Sequence, residues 1–193
     1  RDTASGHCSQ GNTTMKNRTI LATALASVVA FTASAADFKP AVIYDMGGKF
    51  DKSFNQGVYD GIKRFSDETG VKVMEFEVTS ETQREQAMRR MAERGATVVL
   101  GVGFAQADAI NKVSAEFPKV NFSIIDVSWL DQPNLRQYAF KEHEGSYLVG
   151  IAAAMASKTG KVGFVGGMDI PLIRKFACGY VQGVKSVGGN IAI

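Results

Sequence analysis

The chain places carboxylates, amides and aromatic rings where apolar runs give way to glycine. Asp45-Met46-Gly47-Gly48 follows the run 41–44, and Phe54 and Asn55 come soon after it. Gly101-Val102-Gly103-Phe104 follows a second run, Asp126 closes a third, and residues 166–169 follow a fourth. An aromatic ring can stack on a planar molecule, while Asp and Asn give directional hydrogen bonds to its edge. Such a set suits reversible binding of a small, flat, largely uncharged ligand. Plainer roles stay open beside that one. Phe54 begins an apolar stripe continued by Val58 and Ile62, so it is either core or a stacking plate. Phe176 begins a similar stripe, where spacing alone favours core, and Asp126 is either a loop cap or a polar contact.

Phosphate chemistry fits poorly. A dinucleotide fingerprint needs G-x-G-x-x-G between the first strand and its helix. Gly101-x-Gly103-x-x-Gln106 ends in the wrong residue and lies on a later strand. No G-x-x-x-x-G-K-[ST] occurs, and Asp45 and Asp51 would repel an anion entering the first turn. Catalysis has no better footing. Apart from His7 the one histidine is His143, between Glu142 and Glu144, which reads as a solvated helix start. There is no G-x-S-x-G elbow, histidine pair or cluster of metal ligands. The chain is therefore read as a binding protein and no enzyme, with no cofactor and no metal. Cys178 falls within a helical pattern and is expected as a small buried apolar residue.

These residues need a scaffold that brings strand ends together. Short apolar runs at 41–44, 71–78, 97–102, 121–127, 136–140 and 161–165 read as strands, and VVLGV and FSIIDV are almost wholly apolar. Such runs suit strands covered on both faces. Helical spacing fills the gaps. One helix runs from Phe54 to a stop at Gly70, and another follows the capping box Ser80-Glu81-Thr82-Gln83. A third covers 105–117 and a fourth 144–158, with Tyr147, Leu148, Ile151 and Met155 as its expected buried stripe. A fifth follows Asp169 and Pro171. The alternation predicts an α/β fold, a Rossmann-like parallel sheet with helices on both faces.

The ends of the chain suggest export. Residues 1–14 have no expected structural role and read as untranslated leader in frame. Residues 15–35 have the parts of a signal peptide: Lys16 and Arg18, the apolar run 20–31, and the cleavage site Ala33-Ser34-Ala35. That run is too short to span a bilayer. No cysteine stands at the cleavage site that follows it, so a free periplasmic protein beginning at Ala36 is expected, without a lipid anchor. The whole chain has 22 basic and 19 acidic residues. Arg1, Lys16, Arg18 and Asp2 precede residue 36, which leaves 19 against 18, a formal charge of +1. Nothing in that balance calls for nucleic acid or an acidic membrane as partner, and a monomer is expected. Cys178 is the one cysteine of this part, so no internal disulfide can form. A first lobe is read over 36–159, and residues 160–193 as the incomplete start of a second.

DMGGKFDKSFNQG, VGFAQ, FKEHEGSYLVG, SKTGKVGFVGGMD and FACGYVQGVK occur in that order. Together they resemble the basic membrane protein (BMP) family, substrate-binding proteins of ABC importers typified by purine nucleoside receptor A lipoproteins. The resemblance runs from about Lys39 to the last residue. It implies a periplasmic-binding-protein-like fold, two lobes closing on a ligand by hinge motion. It further implies a purine nucleoside between two rings, Phe54 and Phe176, with Asp45, Asn55 and Asp126 facing the base edge. The loaded receptor would deliver its ligand to an ABC permease in the inner membrane. Other readings stay in view: another heterocycle or a sugar-like ligand, an exported enzyme with its catalytic groups elsewhere, and a partner for a chemoreceptor.

Overall fold

A computed structural model describes residues 38–193. The expected leader and signal peptide lie outside the described residues. Five strands form one sheet: β1 (Pro40–Tyr44), β2 (Met74–Glu77), β3 (Val98–Gly101), β4 (Asn121–Ile125) and β5 (Leu135–Tyr138). Their order is β2-β1-β3-β4-β5 and every pairing is parallel. Between them run α1 (Phe54–Thr69), α2 (Gln83–Glu93), a short 3-10 turn (Phe104–Gln106) and α3 (Ala107–Glu116). After the sheet come α4 (Glu142–Ala156) and α5 (Pro171–Ser186). The expected α/β fold is the observed one.

The middle of the sheet is held from both sides, which is why β1, β3 and β4 read as largely apolar runs while the edge strands β2 and β5 alternate. Ala41 and Ile43 of β1 join a core with Met88 and Met91 of α2, Ile110 and Val113 of α3, and Phe122 and Ile124 of β4. The alternate residues, Val42 and Tyr44, face the other way, onto Val58, Tyr59 and Ile62 of α1. Alternation of side chains along a strand makes this division automatic. Each fully buried aliphatic side chain contributes about 1.5–3 kcal/mol. Gly70 ends α1 in the left-handed region, φ 72°, donating its N–H to Ser66 O at 2.9 Å. At the start of α2, the Gln83 side chain reaches Thr79 N at 2.9 Å, one residue beyond the expected capping box.

The last third departs from the sequence reading in three ways. The run 161–165 forms no regular strand. It makes a single parallel bridge, Lys161 to Ala192, and Val165 is 99% exposed. A strand with one neighbour and no ladder gains too little to extend. The face of α4 also differs. Of the expected stripe, Tyr147, Leu148 and Met155 are exposed, while Glu142, Gly150 and Ala154 are buried. The reason is glycine. A Cβ at Gly183 would lie 2.0 Å from Tyr147 O, and one at Gly150 would lie 2.1 Å from Tyr180 O. The α4 and α5 backbones touch there, so small residues fill the contact and large ones turn outward. Cys178, expected to be buried, is exposed on α5.

Candidate functional site

In a sheet of order 2-1-3-4-5, neighbouring connections leave in opposite directions from β1 and β3, and a crevice opens beyond their carboxyl ends. Asp45 follows β1 and Gly103 lies two residues past β3. The crevice is built locally. Gly47 (φ 110°) and Gly48 (φ 74°) turn the chain back, with Gly48 N–H reaching Asp45 O at 3.4 Å. Both angles are in the region that side chains other than glycine avoid.

Two residues then fix this turn to α1. Asp51 accepts backbone N–H bonds from Ser53 (2.8 Å), Asn55 (3.1 Å) and Gln56 (3.1 Å), capping the helix. Desolvation pushes its carboxyl up, but the donors at Gln56, Ser53 and Asn55 outweigh it and hold the group below its ordinary range. Asn55 is buried and grips both sides of Asp45. Its Oδ1 accepts Asp45 N–H and its Nδ2 donates to Asp45 O, each at 3.2 Å. The amide expected beside a ligand is thus the clasp that orients Asp45.

The side chains converge above this clasp. Asp45 Oδ1 accepts from Arg84 Nη2 of α2 at 3.2 Å. Its Oδ2 lies 3.5 Å from where a Cβ at Gly103 would be, and Phe54 Cε1 lies 3.3 Å from the same point. Gly103 has φ 96°, so both space and backbone favour glycine there. Phe54 is 40% exposed, so its ring is not closed into the core. Behind them Gln106, fully buried, donates from Nε2 to Ile43 O and Val102 O, both at 2.9 Å. It ties the ends of β1 and β3 together below the crevice.

The other expected residues stand farther off. Asp126 follows β4, two strands from Asp45, or about 10 Å at ordinary strand spacing. Its backbone is left-handed (φ 66°) and its N–H bonds Tyr138 O at 2.7 Å. Burial, and then the nearby Glu142 charge, push its carboxyl up. Phe176 of α5 borders a different cavity, of about 520 Å³, with Phe140, Val149, Phe164 and Tyr180. At its edge Glu142 accepts Phe140 N–H at 2.9 Å, and Lys175 Nζ lies 2.5 Å from Glu142 Oε2 and 2.6 Å from Phe140 O. Burial alone would raise the Glu142 carboxyl, but Lys175 and the backbone donors bring it below its ordinary range. The structure therefore brings Asp45, Phe54 and Asn55 together, sets Asp126 on the same sheet edge, and leaves Phe176 with α4 and α5.

Sequence reading gave Arg84 no role and named Asp51 only as a charge that would repel an anion, not as the cap of α1. Gln106 appeared only as the wrong last residue of a phosphate loop, and Arg84 lies in a helix rich in exposed charge. His143, at the start of α4, is exposed as expected. Among the described residues no group of three or more His, Cys, Asp or Glu is placed to hold a metal. None of their helices is long and apolar enough to cross a membrane.

Residues 38–193 match the Bmp family, described as ABC transporter substrate-binding protein PnrA-like. The chain belongs to this family. The ABC transporter nucleoside-binding protein BmpA of Lactococcus lactis is 35% identical over 161 residues, which are 81% of this chain and 46% of that protein. An uncharacterized lipoprotein of Pyrococcus horikoshii is 34% identical over 152 residues, 76% of this chain and 38% of its own. A solved ABC transporter solute-binding protein from Aeropyrum pernix superposes with a TM-score of 0.70 at 32% identity, over 78% of this chain and 43% of its own. The chain thus spans about half the length, or less, of these relatives. ABC substrate-binding proteins of this kind are extracytoplasmic. The Pyrococcus name runs against the expectation of a protein without a lipid anchor, and the residues bearing on that expectation lie outside those described.

Proposed function

We propose that this Bmp-family chain supplies the first lobe, and part of the second, of a periplasmic receptor for purine nucleosides that serves an ABC permease in the inner membrane. The observation that carries this reading is the meeting of the Phe54 ring and Asp45 Oδ2 at Gly103, over the crevice between β1 and β3. The ring offers a face for a base to stack on. The carboxylate, with one oxygen held by Arg84, offers the other as an acceptor. Such an acceptor suits a base edge rich in N–H donors, as in guanine or hypoxanthine. The name of the Lactococcus relative supports a nucleoside as cargo.

In this reading Phe176 belongs to the opposing lobe and meets the other face of the base when the lobes close, and Asp126 contacts the ligand from β4. The close packing of α4 with α5, and the separate small core of Ala154, Tyr180 and Val184, support drawing the lobe boundary near Lys141 rather than Gly160. The receptor acts as a monomer, binds without turnover and needs no cofactor. A calorimetric titration of the full-length protein with guanosine, inosine, adenosine and cytidine tests the proposal. Binding of guanosine and inosine at least about 10-fold tighter than cytidine, without chemical change, is expected. No binding of any of them would withdraw the nucleoside, and hydrolysis of one would withdraw the receptor.

A further inference from the structure

Beyond the carboxyl ends of β3 and β4 a cavity of about 410 Å³ opens between the sheet and the segment entering α5. Phe104 and Trp129 line it from the sheet side, and Met168, Ile170 and Leu172 from the other. Trp129 is 58% exposed and Met168 is exposed as well, so large apolar surfaces stand uncovered where such sheets take their ligands. The charged side chain on the wall is Asp108, and among the described residues no Lys or Arg joins it. Arg174, the nearest basic residue along the chain from the 168–172 wall, is held by Asp169 at 2.5 and 2.9 Å. Phe104 directly follows Gly103, against which Phe54 and Asp45 close, so the cavity adjoins the nucleoside crevice.

We propose that this cavity is an apolar subsite of the same cleft, with Trp129 as its main wall, and that it takes an uncharged alkyl or thioether substituent of the ligand. The body of that ligand rests on the nucleoside reading above. The subsite's own chemistry does not. An apolar group gains by leaving water against Trp129 and Phe104. A phosphate is refused, because Asp108 repels it and no cation offsets the lost hydration.

The test is a calorimetric titration of the full-length protein with a purine nucleoside, its 5′-alkylthio and N6-alkyl derivatives and its 5′-monophosphate. N-phenyl-1-naphthylamine, uncharged and without a nucleoside part, is titrated in parallel. Trp129 is the single tryptophan of these 193 residues, and its emission, isolated by difference from Trp129→Phe, reports occupancy. At least one alkyl derivative is expected to bind about 10-fold tighter than its parent, as two buried methylenes would give. The monophosphate is expected to bind more weakly than the parent. Trp129→Ala should remove the alkyl gain and leave the parent within about twofold. Should that variant fold poorly, Met168→Ser on the opposite wall makes the same comparison.

Nucleoside binding with no alkyl gain, or equal losses for parent and derivative in the variants, overturns the subsite and leaves the nucleoside reading standing. Naphthylamine binding that both variants weaken, without binding of any nucleoside, supports the subsite and overturns the nucleoside reading. Failure of every ligand overturns both. Trp129 emission that follows protein concentration and no ligand overturns the subsite in favour of a contact between copies of the chain.

Discussion

The five-stranded sheet and the α4–α5 pair bury themselves by opposite means. In the sheet, large side chains do the burying: Ile43, Met88, Ile110 and Phe122 meet in one core, and β1 is covered on both faces. In the helix pair, glycine at 150, 179 and 183 lets backbone lie on backbone, and Leu148 and Met155 are left facing outward. The first arrangement writes a periodic apolar pattern into the sequence. The second writes a pattern of small residues, and a search for large apolar ones chooses the wrong face.

Substitutions can break that contrast. Ile110→Ala should cost about 2–5 kcal/mol in denaturant unfolding, because its side chain is fully buried beside Gly101 and Met88. Leu148→Ala, on the exposed side of α4, should stay within about 0.5 kcal/mol. Equal losses would mean that α4 is covered by something else in the whole protein. Gly183→Ala sets a methyl against Tyr147 O and should cost about 1–3 kcal/mol. Its effect should appear as faster amide exchange in α4 and α5, with the sheet unchanged; faster exchange throughout the sheet would show that the two regions form one cooperative unit.

Phe54→Ala separates binding from folding. Partial exposure limits the loss of stability to about 1–2 kcal/mol, while loss of stacking should weaken nucleoside affinity by about 1–3 kcal/mol. A large stability loss with unchanged affinity would return Phe54 to the core. A smaller effect is expected at Asp126. Its folded-state carboxyl is raised, so the stability it contributes is full below the unfolded value and is lost as pH rises through the folded one. Asp126→Asn, which tolerates the left-handed backbone, should therefore raise Tm at pH 7 by about 1–3 °C and leave it unchanged at pH 3. A gain of the same size at both pH values would mean that charge is not the cause.

The sequence showed the middle strands of the sheet plainly, since 41–44 is apolar throughout and 98–102 and 121–127 are largely so, and Gly70 marked the end of α1. It placed Asp45 and Phe54 at one strand end because both follow the same run. It did not reveal that Asn55 turns inward to hold Asp45, since an amide early in a helix looks the same whether it faces ligand or backbone. The Arg84–Asp45 pair joins residues 39 positions apart, and no spacing rule reaches that far. The run 161–165 had the composition of a strand and lacked the neighbours to form one.

In the proposed receptor, selectivity turns on the Asp45 carboxylate reading a purine edge beside Phe54. Titrating guanosine and adenosine into the full-length protein and into Asp45→Asn, with unfolding curves to confirm equal folding, measures this directly. The prediction is a loss of about 10-fold or more for guanosine and about twofold or less for adenosine. Equal losses for the two purines, or no loss for either, would contradict it.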